Sequence, residues 1–139
     1  MKIKAFNKLS DDARVIRTQV FINEQGFENE FDSTDDIAIH FVMYNNSKAI
    51  ATCRAYQTEH DGTYAIGRVA VVKEYRGRHL GELIMKYAED YIRSLGGKTI
   101  TISAQVRAGL FYVRLGYKPQ GEEYFDEHCP HICMTKCLQ

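Results

Sequence analysis

The sequence carries no net charge, because eighteen lysines and arginines are matched by eighteen aspartates and glutamates. That balance removes the electrostatic drive a chain needs to bind nucleic acid or an anionic membrane, so any function of charge has to be local. No apolar run approaches the ~20 residues that span a bilayer. Met1-Lys2-Ile3-Lys4-Ala5-Phe6 reads as a half-buried strand rather than a signal peptide. A cytoplasmic protein is expected. Four cysteines are present but no Cys-x-x-Cys pair. Cys133 and Cys137 would lie in line on one face of a strand, too far apart to converge on one zinc, so free thiols are expected and no metal. Repeats, linkers and low-complexity segments are missing as well. With 139 residues, 45% of them hydrophobic, the chain should be one domain spanning 1–139 with a substantial core.

What is present begins with the strand Lys2 to Phe6. Ser10 is then placed to cap a helix, with Asp11 and Asp12 in its first turn and Val15, Ile16, Gln19, Val20 and Ile22 as its periodic face. The run Glu24 to Asp36 holds six acids and no lysine or arginine. It reads as irregular, either a solvated surface loop or an acidic lip that draws in a cationic amine. Ile37 to Tyr44 and Lys48 to Tyr56 form a hairpin about Asn45-Asn46-Ser47, and a turn at His60-Asp61-Gly62 leads into Tyr64 to Val72.

The chain is organised around Gly67 to Leu95. Val69-Ala70-Val71-Val72 runs into the turn Arg76-Gly77-Arg78-His79-Leu80-Gly81, which opens an amphipathic helix. Leu80, Leu83, Ile84, Tyr87, Ala88, Tyr91, Ile92 and Leu95 recur at spacings of three and four and predict its buried face, and Gly96-Gly97 ends it. The next strand, Lys98 to Ala104, must pair in parallel through a right-handed crossover, so the fold is mixed α/β, of the α+β type. Arg107 to Leu115 predicts a short helix closed by Gly116. Ile132 to Cys137 predicts a last strand, separated from Tyr117 by the acidic Glu122 to Glu127.

A strand that delivers a glycine-bearing basic turn to a helix N-terminus converges free N–H groups on one point, which suits a phosphate. The turn lacks both the Gly-Lys-Ser/Thr ending of a Walker A loop and the Gly-x-Gly-x-x-Gly of a dinucleotide site. It resembles the acetyl-CoA pyrophosphate loop of the GCN5-related N-acetyltransferase (GNAT) family, Arg/Gln-x-x-Gly-x-Gly/Ala after Leu-x-Val. Val69-Ala70-Val71 stands for the strand, Arg76 for the first position, Gly81 for the last, and His79 where the family usually has glycine. Gln105 through Tyr117 resembles a second segment of the family, Asn-x-x-Ala-x-x-Phe-Tyr-x-x-x-Gly-Phe/Tyr, with Gln105 in place of asparagine. The two motifs keep the family's order and distance. Shorter matches to a small bacterial single-domain subgroup occur at Val20 to Gln25, at His40 and at Pro130 to Met134.

The resemblance implies a mixed sheet whose strands Tyr64–Val72 and Lys98–Ala104 splay apart to admit acetyl-CoA as cosubstrate. Val69, Ala70 and Val71 would meet the pantetheine and Arg76, Gly77, Arg78, His79, Leu80 and Gly81 the pyrophosphate, with Gln105 at the same site. It implies direct attack of a primary amine of a small molecule or peptide on the thioester, an N–H near Val71 polarising the carbonyl and Tyr112 protonating the leaving thiolate. Glu24, Glu28, His131 or a water chain would remove the ammonium proton. A buried helix tyrosine and solvent-exposed charges are the plain readings of the same residues. Whether the chain is a monomer or a homodimer stays open. The alternative function is a non-catalytic acyl-CoA-binding sensor. An acyl-homoserine-lactone synthase is disfavoured by the missing tryptophan.

Overall fold

The computed structural model describes residues 1–138. In chain order the elements are β1 (Lys2–Phe6), α1 (Asp11–Arg17) running into a π-helical stretch (Thr18–Glu24), a 3-10 turn (Ser33–Asp36), β2 (Ile39–Asn45), β3 (Lys48–Gln57), β4 (Thr63–Val71), α2 (Leu80–Ser94), β5 (Thr99–Gln105), α3 (Gly109–Arg114), β6 (Lys118–Asp126) and β7 (Cys129–Cys137). The strands form one sheet in the order β1-β2-β3-β4-β5-β7-β6. All neighbours are antiparallel except β4 and β5. The parallel pair holds only from Thr63 opposite Thr99 to Ala65 opposite Thr101, and beyond it the two strands part. The expected mixed α+β sheet with splayed parallel strands is therefore the observed one. None of the described helices is long and apolar enough to cross a membrane.

A bulge bends β4 away from its neighbour. Its register against β3 shifts so that Arg68 and Val69 both fall between the pairs Thr52–Ala70 and Arg54–Gly67, and Arg68 takes a left-handed φ of 53°. An extra residue on one strand kinks it and raises its twist. On the helical side, Ser10 caps α1 as its sequence position predicts, accepting from the Ala13 N–H at 3.2 Å, an interaction that contributes about 1 kcal/mol. The buried face differs from expectation: Val15 is 55% exposed, while Ala13, Ile16, Arg17, Val20 and Phe21 are buried. The π-helical stretch adds a residue to the turn, as in the Gln25 N–H to Val20 O bond of 3.2 Å, and so re-aims the side chains that follow.

The face of α2 is also rotated from the sequence expectation. Leu83 and Leu95 are each 50% exposed and Tyr87 38%, whereas Met85 and Glu89 are buried with Leu80, Ile84, Ala88 and Ile92. Tyr87 and Tyr91 instead flank Phe41 edge-on at 5.8 and 5.3 Å. Glu89 is kept inside by the Tyr117 hydroxyl (2.6 Å) and Lys136 Nζ (2.9 Å). The Gly96-Gly97 stop is as expected: Gly96 has φ 88°, and a Cβ on Gly97 would sit 2.3 Å from Ile92 Cγ2.

Two acidic segments are corrected. Glu122 to Asp126 is not a separator but part of β6, an edge strand paired with β7 and exposed throughout. The run Glu24 to Asp36 is neither a solvated loop nor an open lip, because half of its charge is folded inward. Arg17 donates to Glu30 Oε2 (2.8 Å) and to Asp35 Oδ1 (2.7 Å), Arg54 to Asp32 (2.7 Å) and Asp35 (2.8 Å), and Arg68 reaches Glu30 Oε2 (3.0 Å) and Asp32 Oδ2 (3.3 Å). Three guanidiniums thus balance three carboxylates, and the ring of Phe31 lies 4.8 Å from Arg17 Cζ. His40 Nε2 closes the cluster by donating to the Asp35 carbonyl at 2.9 Å.

Burial raises the Asp35 carboxyl, but hydrogen bonds from Arg17 and Arg54 outweigh it and hold the group at about 2, below its ordinary 3.8. A depressed folded-state value means that this stabilisation is present above the unfolded value and is lost as pH falls from 3.8 toward 2. Removing one charge of a buried set costs about 3–5 kcal/mol because its partners are left unpaired. Asp35→Asn should therefore lower the Tm sharply at pH 7, and urea unfolding should show a shallower loss of stability between pH 4 and 2 than in the wild type. An unchanged midpoint at neutral pH would show that the cluster contributes nothing.

Candidate active site

Past Ala65 and Thr101 the facing edges of β4 and β5 have no ladder, and the gap opens into two adjoining cavities. The larger, about 700 Å³, is bounded by Val69, Ala70 and Val71 on β4, by Tyr75, Arg76, Gly77, His79, Leu80 and Gly81 of the turn, and by Phe111 and Tyr112 of α3 with Leu115 at its end. The smaller, about 240 Å³, lies toward Phe27, Glu30, Arg68, Ser103, Gln105 and the β6–β7 turn. Gln25, Val69, Ala108 and Tyr112 line both, so they form the seam. Gln25 is delivered by the π-helical stretch, Val69 by the β4 bulge.

The larger cavity joins a strand edge to a helix N-terminus. Val69 to Val71 present an unpaired strand edge, and the first N–H groups of the fifteen-residue α2 point out of its N-terminus with the positive end of its dipole. Gly77 turns the loop with φ 81° and His79 follows at φ 61°. His79 thus holds the left-handed conformation that glycine adopts without strain. Gly81 leaves room for Phe111, whose Cζ would stand 3.1 Å from an added Cβ.

The charges of the turn are arranged differently from expectation. Arg76 donates through Nε to the Val71 carbonyl (2.9 Å) and through both terminal nitrogens to Glu24 (2.8 Å each). The pair is internally neutral, so Arg76 brings no free charge to the cavity, whose other lining guanidinium is Arg114. Arg78 lies over the Tyr75 ring at 4.9 Å and does not line the cavity. Gln105, expected beside the cofactor, lines the smaller cavity instead, where its Nε2 donates to Gln25 Oε1 (2.8 Å) and its Oε1 accepts from Arg107 Nε (2.7 Å).

Tyr112 is 7% exposed, and its hydroxyl has no hydrogen-bond partner among the described residues. Burial pushes its phenol well above the ordinary value, so it stays protonated across the physiological range. None of Glu24, Glu28 and His131 lines either cavity. The Glu24 carboxyl is lowered by its hydrogen bond to Arg76 and is a fixed anion rather than a poised base. The Glu28 backbone N–H is tied to Glu127, whose two carboxylate oxygens accept from Glu28 and Asn29 at 2.9 and 3.0 Å. His131 is buried against Phe27, its Nδ1 donating to the Cys129 carbonyl at 2.9 Å. Cys53 is fully enclosed and burial raises its thiol, which makes it a core residue rather than a nucleophile.

Ser103, Asp126 and Glu127 line the smaller cavity without having been marked by the sequence motifs. The alternation of β5 alone carries a signal for Ser103, since it is the polar end of Thr99 to Ser103. The two acids come from a hairpin that looked like a spacer.

These features are those of an acyl-CoA N-acyltransferase fold, and the comparisons agree. Residues 8–138 match the family described as Acetyltransferase (GNAT) domain, and the chain belongs to it. It is 31% identical to the uncharacterized protein YyaT of Bacillus subtilis (strain 168), over 98% of this chain and 95% of the relative. The crystal structure of Escherichia coli ElaA superimposes with a TM-score of 0.85 at 25% identity, covering 97% of this chain and 98% of that one. An aminoglycoside 6'-N-acetyltransferase complexed with coenzyme A shares the fold alone, with a TM-score of 0.79 at 15% identity over 99% and 97% of the two chains.

The strain at His79 is testable. Its side chain is 85% exposed and only 3.7 Å contact to Glu82 would be lost, an exposed pair of small value. His79→Gly should raise the unfolding free energy by about 1 kcal/mol, read from urea denaturation. A destabilised variant would show that the imidazole supports the loop.

Proposed function

We propose that this chain transfers an acetyl group from acetyl-CoA to a primary amine of a small molecule or peptide, by direct attack without a covalent enzyme intermediate. The observation that carries the reading is Tyr112 at the seam between the two cavities, a buried side chain whose hydroxyl makes no hydrogen bond to the described residues. Acetyl-CoA would supply the activated thioester. The strand edge Val69 to Val71 offers the hydrogen bonds that an extended pantetheine arm needs, and the N–H groups from Gly77 to Gly81 offer an anion cradle for the pyrophosphate.

In this reading the acceptor nitrogen approaches from the smaller cavity, the new C–N bond forms as the C–S bond breaks, and an N–H near Val71 stabilises the developing oxyanion. Tyr112 gives its proton to the departing thiolate; a phenol held protonated by burial is suited to act as acid. Before the attack the acceptor's ammonium loses its proton through water to bulk solvent, which frees the nitrogen lone pair. Glu30 also stands on the wall of the smaller cavity, where burial raises its carboxyl against the lowering effect of Arg68 and Arg17, and its ion pairs leave it a fixed wall group rather than the base.

Tyr112→Phe removes one hydroxyl and keeps the ring. Calorimetry should show acetyl-CoA affinity within about twofold of the wild type, while thiol release with an amine panel should fall by roughly 10²-fold. Unchanged turnover would remove Tyr112 from the acid role. Coenzyme A binding by the wild type with no thiol release on any amine would favour the sensor function, and absence of coenzyme A binding would end the reading. Gly81→Glu, which places bulk against Phe111 and a negative charge in the cradle, should weaken coenzyme A binding by at least about tenfold. Unaltered affinity in the folded variant would dissociate the turn from the phosphate.

A further inference from the structure

Resting on the acyl-transfer reading, we infer that the amine acceptor carries a carboxylate, and that Arg107 binds it. Five charged residues line the smaller cavity: Glu30, Arg68, Arg107, Asp126 and Glu127. Three of them are already satisfied. Glu30 is held by Arg17 and Arg68, and Arg68 is held by Glu30 and Asp32. Glu127 spends both oxygens on the backbone N–H groups of Glu28 and Asn29.

Arg107 and Asp126 remain. Among the described residues neither makes a salt bridge. Arg107 is nevertheless fixed, because its Nε donates to Gln105 Oε1 at 2.7 Å and Gln105 Nε2 is anchored on Gln25 Oε1 at 2.8 Å. That chain of bonds runs from Gln25, just past the π-helical stretch, to the 3-10 turn Val106–Ala108. It orients a guanidinium and leaves its two terminal nitrogens without an anion.

Such a group is matched by a carboxylate, which accepts two parallel N–H bonds. It lines only the acceptor side and not the larger cavity, so it is not placed to hold the pyrophosphate. Asp126 on the opposite hairpin supplies the complementary attraction for the ammonium. A doubly charged phosphate would meet Glu30, Asp126 and Glu127 on the same walls, and a cavity of about 240 Å³ favours a small molecule. The substrate class is therefore a small amino acid, its amine acetylated and its carboxylate on Arg107.

The test measures kcat/KM with acetyl-CoA for α-, β- and ω-amino acids against their carboxamides, the corresponding decarboxylated amines and amino phosphates. In parallel, calorimetry measures binding of the same acceptors in the presence of coenzyme A. Wild type should prefer an amino acid over its carboxamide by about 10–100-fold. Arg107→Gln should collapse that ratio to within about threefold, and Asp126→Asn should raise KM for the amino acid more than it lowers kcat. Equal use or equal binding of carboxylate and carboxamide by the wild type would overturn the inference while leaving acetyl transfer intact, as would a preference for the phosphates. If no acceptor turns over, the acyl-transfer reading fails, and the calorimetric preference alone then decides whether Arg107 is a carboxylate site.

Discussion

The structure depends on the short length of one strand pairing. β4 and β5 share a parallel ladder only from Thr63–Thr99 to Ala65–Thr101, and both cavities of the proposed site open in the space left by the pairs that do not form. Unpaired backbone groups in a sheet interior cost free energy unless something satisfies them. The bulge at Arg68 keeps β4 turned from its neighbour, so the vacancy cannot be closed by simply zipping the strands. An extended ligand that supplies the missing hydrogen bonds is the natural complement of such an edge, and the N-terminus of α2 stands at its end. In the proposed function, fold and cosubstrate are linked by that one geometric feature.

The splay is buttressed by the ionic cluster. Arg68, at the bulge itself, is tied to Glu30 and Asp32, and Arg54, beside it on β3, to Asp32 and Asp35. The loop that follows the first helix is thereby pinned to the bent part of β4, and Phe27 and Asn29 are brought to the wall of the smaller cavity. Buried ion pairs contribute little net stability against an apolar alternative, but a broken one is costly. Their effect here is to fix the path of a segment with little regular structure.

Much of this was legible in local sequence. The Ser10 cap, the glycine stop after α2, the hairpin about Asn46 and the strand-turn-helix from Val69 all depend on residues within a few positions of one another. The long-range pairing was not. Nothing in Glu24 to Asp36 says that Glu30 and Asp35 will meet Arg17, Arg54 and Arg68, so a buried network read as an acidic loop. Likewise the periodicity of α2 counted Leu83 and Tyr87 as core and missed Glu89, whose burial depends on Tyr117 and Lys136 far along the chain. At the site, Tyr112 and Gly81 were visible as motif positions, while the pairing of Arg76 with Glu24 and the placement of Arg107 required three dimensions.

The central claim is that the open edge of β4 and the turn before α2 together receive coenzyme A. Amide hydrogen exchange followed by NMR, with and without saturating coenzyme A, tests it residue by residue. Protection should rise at Val69, Ala70 and Val71 and at Gly77 through Gly81, with little change on β1 and β2. Coenzyme A binding that leaves those amides unprotected, or that protects the β6–β7 hairpin instead, would contradict the account.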